Sequence, residues 1–185
     1  VPETLPAIVK YISVQPERIK KAEQQYTPYF FQVDHQLSQL HQLLGQMKCE
    51  EAETALRQFV PRLEGPKRPV LWPESRAAAI WALGLIREGK APVTLAQDLE
   101  GRLTDSDRLP PEDPRVRLMS AISLGRLKAM DALPSLRASR LGSEPPSDVV
   151  QCACAWSIHQ MTGDPIPAPK ITRRVERDWF LLPQE

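Results

Sequence analysis

Residues 116–138 read "VRLMSAISLGRLKAMDALPSLRA". Val116, Met119, Ile122, Leu124 and Leu127 recur at helical spacing. Gly125 sits inside that pattern, where glycine costs a helix about 1 kcal/mol relative to alanine. A glycine in such a place needs a structural reason. The same frame occurs twice upstream. Gly45, Gly84 and Gly125 form one column, spaced 39 and 41 residues apart. Periods of this length mark stacked helical repeats.

Other positions fall into the same register. Leu44, Leu83 and Leu124 precede the glycines, Ala52, Ala91 and Ala132 follow them by seven residues, and Leu56, Leu95 and Leu136 by eleven. Two units carry an arginine eight residues before the glycine, Arg76 and Arg117. A fourth, degraded unit keeps Val150, Ala155 and Ile158 but has His159 in the glycine column. The histidine signals that the stack is ending.

Each unit reads as two helices joined by a short turn, so the fold class is all-α, an α-α superhelix of about three recognisable repeats with degenerate terminal units. Two readings of the glycine column are open: the start of a helix end, or a site of close helix contact. Leu85, Ile86 and Leu127 extend the apolar pattern past it and favour close contact. Pro92 and Pro134 are placed in the first turn of the second helices, where a missing N–H costs little. Pro-rich connections follow the second helices, and Asp113-Pro114 and Ser147-Asp148 are expected to cap the next first helices.

These columns resemble the HEAT repeat, in the short variety named after phycobilisome lyases. Val116-Arg117, Ala121, Leu124-Gly125 and Ala132-Leu133-Pro134-Ser135-Leu136 carry the resemblance most closely. Arg76, Ala79, Ala82-Leu83-Gly84, Ala91 and Leu95 follow, then Leu44-Gly45, Ala52 and Leu56. The resemblance implies a HEAT/armadillo-like solenoid that serves as a binding scaffold. In that architecture the second helices line the concave side. The residues there outside the Ala and Leu columns are the candidate partner contacts: Arg57, Gln58, Gln97, Glu100, Arg137 and Arg140.

Four segments are expected. Residues 1–14 contain "TLPAIVKYI", whose Leu5-Pro6-Ala7-Ile8 copies Leu133-Pro134-Ser135-Leu136, and predict an orphan second helix of a preceding repeat. Residues 15–35 are an irregular helical segment, broken by Pro16 and Pro28, with Tyr26, Tyr29, Phe30 and Phe31 expected as core packing or else as an exposed aromatic anchor for a partner. Residues 36–162 hold the repeats. Residues 163–185 form a Pro-rich, then basic and aromatic tail, in which Trp179 and Phe180 are expected to cap the last helix or dock a partner.

The function classes separate on chemistry. Twenty-four basic and 23 acidic residues give a net charge of +1, without the basic excess of a dedicated nucleic-acid binder. No catalytic nucleophile, phosphate loop or metal-ligand spacing stands out. Cys152 and Cys154 are two apart, so on a helix they point to different sides, and Cys154 falls in the small-residue column of Ser120. Packing, with no metal and no cofactor, is the expectation. Three cysteines are too few for a disulfide framework and favour a cytoplasmic setting. Arg76 and Arg117 are expected to bridge to a carboxylate or to carbonyls of the preceding unit. The sequence thus predicts a non-catalytic scaffold for a protein partner, with no membrane insertion. The alternatives are a phycobilin lyase-like enzyme or subunit, which the resemblance raises, and a HEAT-like nucleic-acid binder.

Overall fold

The computed structural model describes residues 4–22, 29–62, 72–106, 110–141 and 148–166. Among these residues the fold is all-α, without strands. The helices are α1 (Thr4–Ser13), α2 (Gln15–Ala22), α3 (Tyr29–Gln46), α4 (Glu53–Arg57), α5 (Pro73–Ile86), α6 (Val93–Thr104), α7 (Pro114–Leu127), α8 (Leu133–Leu141) and α9 (Asp148–Thr162). Single 3-10 turns, Glu50–Ala52 and Met130–Ala132, lead into α4 and α8. α3 runs unbroken through residues 35 and 36. No helix among the described residues is long and apolar enough to cross a membrane.

The packing order follows the register. α3 packs on α5, α5 on α7, and α7 on α9, making one row of first helices. α4, α6 and α8 each pack against the first helix that follows them, and α6 also touches α8. α1 packs against α4. Leu44, Leu83, Leu124, Leu56, Leu95 and Leu136 are all fully buried between the rows. Each such leucine contributes about 1.5–3 kcal/mol relative to exposure. Ala52 and Ala132 are buried too, but Ala91 is exposed. A 3-10 turn folds Ala52 and Ala132 inward, whereas Ala91 lies in the loop before α6. Pro92 is the N-cap of α6, one residue outside the first turn expected for it. Pro134 does lie in the first turn of α8.

The glycine column is a set of close approaches. A Cβ on Gly45 would stand 2.7 Å from Ala82 Cα, one on Gly84 2.5 Å from Ser123 Oγ, and one on Gly125 2.7 Å from Ser157 Oγ. Atoms in contact need about 3.5–4.0 Å, so only glycine fits. The seat for each glycine is the residue two before the next column position: Ala82, Ser123 and Ser157. Two of these seats also tie the helices by hydrogen bonds. Ser123 Oγ donates to Ile80 O (2.9 Å) and Ser157 Oγ to Ala121 O (2.7 Å). Among the described residues the row is unlike this at its two ends. Leu43 stands at the seat position of α3 and is 41% exposed, and His159 stands at the glycine position of α9, its Nδ1 bonded to Asp164 O at 2.8 Å.

Helix ends are fixed locally and across units. Asp113 caps α7 by accepting from Arg115 N at 2.9 Å, with Pro114 following. α5 has Trp72 at its N-cap, in a left-handed conformation and without a side-chain cap bond. Its cap comes from α3 instead: Asp34 accepts from Ser75 N (2.8 Å) and Glu74 N (3.4 Å). α3 and α7 both end with a lysine at positive φ, Lys48 and Lys128. Cys49 N donates to Leu44 O, and Ala129 N to Leu124 O, closing Schellman turns. Glycine would suit that conformation better, but each lysine reaches the next unit, Lys48 Nζ to Glu88 and Lys128 Nζ to Gln160 O.

Candidate partner-binding surface

α4, α6 and α8 turn apolar residues inward, which determines what remains outside. Leu95, Leu99 and Leu103 recur every four residues on α6 and are fully buried. That periodicity leaves Gln97 exposed and Glu100 half-buried. On α4, Ala55 and Leu56 are buried, Arg57 is half-buried, and Gln58 just beyond the helix is exposed. On α8, Leu136 is buried, Arg137 exposed and Arg140 half-buried.

Three of the six candidates are already engaged within the chain. Arg57 donates to Glu53 on its own helix (3.0 Å) and to Thr94 Oγ1 on α6 (3.1 Å). Glu53 also accepts from Arg87 Nε at 2.7 Å. Partial burial acts to raise the Glu53 carboxyl pKa, but the Arg87 and Arg57 bonds outweigh it and hold it below the usual range. Ser135 Oγ on α8 donates to Glu100 on α6. Arg137 pairs loosely with Asp164 at 3.5 Å, both groups more than half exposed. The remaining exposed groups, Gln58 and Gln97, sit on successive second-row units. Trp179 and Phe180 lie outside the described residues, as do the side chains of the Tyr26–Phe31 cluster and Ser147.

A buried ionic cluster lies beside this surface, and the sequence reading found only one of its members. Arg76 is fully buried and forks onto Glu112, at 2.9 Å from Nη1 and 2.7 Å from Nη2. Its Nε and Nη2 also donate to the carbonyls of Phe59 and Val60, just past α4 (3.3 and 3.4 Å). Arg76 thus reaches both a carboxylate, from the segment before α7, and carbonyls of the preceding unit. Arg102 donates to Glu112 (3.2 Å) and Asp105 (3.4 Å), and Arg62 to Asp105 (3.2 Å). Burial acts to raise the Glu112 carboxyl pKa, but Arg76, the Asp113 N–H and Arg102 together hold it below the ordinary range. Arg117, in the Arg76 column, donates to Leu103 O at 2.9 Å. The cluster welds three units together. The acids that complete it stand in a Pro-rich connection with no repeat register.

Cys154 is fully buried, and burial pushes its thiol up to about 12. No group of three or more His, Cys, Asp or Glu side chains is placed to hold a metal ion among the described residues. No protein-family model, curated protein or solved structure matches the chain.

Proposed function

We propose that the chain is an α-α solenoid of the HEAT-like kind, acting as a non-catalytic scaffold that holds a protein partner along α4, α6 and α8. The observation that supports this reading is the repetition of one interface. At three successive contacts a column glycine meets the residue two before the next column position. Repeating one contact extends a surface unit by unit, with each helix of the second row adding a similar strip. Among the side chains exposed on that strip are Gln58, Gln97 and Arg137, polar groups suited to scattered hydrogen bonds across a protein interface.

The test is affinity capture from the native cell with the wild-type chain and with the Gln58→Ala, Gln97→Ala, Arg137→Ala triple variant. The expected result is a polypeptide held by the wild type and lost by the variant, with the melting temperature unchanged. Two results would overturn the reading. One is a stable visible-absorbance shift on mixing with a bilin. The other is duplex DNA binding that falls steeply with salt.

A further inference from the structure

His41 stands on α3, four residues before the glycine column, where the later units have Ile80 and Ala121. It is fully buried. Its Nδ1–H donates to Ser75 O on α5 at 2.9 Å, and its ring meets Phe59 edge-on, centroids 4.5 Å apart. Nε2 is buried with no hydrogen-bond partner. Ser75 is therefore gripped twice from α3, its N–H by Asp34 and its carbonyl by His41. The seats of the next two interfaces are tied by serine hydroxyls, which do not titrate; the seat here is Ala82, which has no hydroxyl.

We infer that the α3–α5 contact is an acid-sensitive hinge: a solvent proton taken up on Nε2 of His41 opens this interface while α5–α7 and α7–α9 stay closed. The bare Nε2 would become a buried N–H with no hydrogen-bond acceptor, and such a cation is expelled to water. The charged groups around it give no refuge. α3 supplies Asp34, committed to the α5 cap, and His35, which faces Glu74 at 3.2 Å on the exposed side. α5 supplies Glu74 and the fixed cation of Arg76, held on the Phe59 carbonyl. α4 supplies Glu53 and Arg57, paired with each other. Two influences set the imidazole: burial, which dominates and lowers it to about 4, and the Ser75 carbonyl, which opposes.

The sign follows. Between about pH 6.5 and 4 an open His41 binds a proton that the closed one does not, so closure weakens as pH falls. Asp34 has the opposite sense, because burial raises its carboxyl above the ordinary range and protonation there relieves a cost.

The test is amide hydrogen exchange on the full chain at about pH 7 and about pH 5, corrected for intrinsic exchange. Protection of α3 relative to α7 should fall about 25-fold between the two, from linkage with an ordinary value of 6.5 and a closed-state value of about 4. His41→Asn keeps a donor at the Nδ1 position and cannot titrate, so its ratio should stay flat. The His41 ring resonances of the wild type should remain those of a neutral imidazole in the closed state until the pH approaches about 4. Equal loss of protection in α3 and α7 would overturn the inference. So would a closed-state ring titrating near its ordinary value, or a His41→Asn chain with the full wild-type drop. The wild-type measurements decide the matter if that variant does not fold.

Discussion

Gly84→Ala tests the repeated interface most directly. The new methyl carbon would stand 2.5 Å from Ser123 Oγ, 2.8 Å from its Cβ and 3.0 Å from its Cα. Against an ordinary contact of about 3.5–4.0 Å, α7 must back away by roughly 0.5–1 Å along the seat. Overpacking of this kind costs about 1–3 kcal/mol. The shift also strains the buried Ser123–Ile80 hydrogen bond, worth about 1 kcal/mol. Better helix propensity returns about 1 kcal/mol, leaving a net loss of about 1–3 kcal/mol. Gly101→Ala is the internal control. Gly101 also lies in a helix, α6, but its Cβ would meet nothing within 4 Å. That change should stabilise by about 0.5–1 kcal/mol. The two variants should then differ by roughly 1.5–4 kcal/mol in urea unfolding. At about 2–4 °C per kcal/mol, that is roughly 3–16 °C in melting temperature. Adding Ser123→Gly removes the two nearest atoms and should recover part of the loss, since Cα remains at 3.0 Å. A Gly84→Ala chain as stable as Gly101→Ala would refute the close-seat account of the column.

Three other outcomes follow from the same geometry. Glu112→Gln leaves Arg76 buried without its carboxylate and should cost about 3–5 kcal/mol in denaturant unfolding. Because the Glu112 pKa is lowered in the folded state, its contribution is complete above the unfolded value of about 4.5 and is lost as pH falls through the folded one. The acid limb of the wild-type stability curve should therefore be steeper than that of Glu112→Gln. Leu124→Ala, at a fully buried site, should cost about 2–5 kcal/mol, read as a lower urea midpoint. Cys154, buried and with its thiol raised to about 12, should resist iodoacetamide at neutral pH in the native chain and react once denatured; mass spectrometry of labelled peptides reads this out.

Much of the helical plan was legible because it is periodic. Leu83, Leu124 and Leu136 announce their burial by recurrence, and continuation of the apolar pattern past Gly84 and Gly125 pointed to close contact. The Arg76 column was legible as a bridge, but not its partner. Glu112, Asp105, Arg102 and Arg62 have no register, and their meeting depends on where the Pro-rich connection crosses the helix ends. Asp34 caps a helix that starts 39 residues later, and no spacing in the sequence links the two. His41 stands where the later units have Ile80 and Ala121, but no pattern in the sequence signals its contact with Ser75 O. On the candidate surface, the exposure of Gln58 and Gln97 follows from helical spacing. The engagement of Arg57 with Thr94 and of Glu100 with Ser135 is set by the distance between neighbouring helices, which composition does not encode.

The two outer faces of the first-helix row carry a consequence for assembly. Head-to-tail stacking of copies would bring His159 of one chain onto the seat of the next chain's α3. That seat is Leu43, where the inner interfaces have alanine or serine, and the incoming residue is an imidazole where they have glycine. Both sides are too bulky for the spacing the inner contacts require. Heterologous contacts that can repeat without closing are the route to open filaments. Here Leu43 and His159 stand where the inner contacts have a small residue and a glycine, so a copy docking in that geometry would meet a bulky side chain from each face.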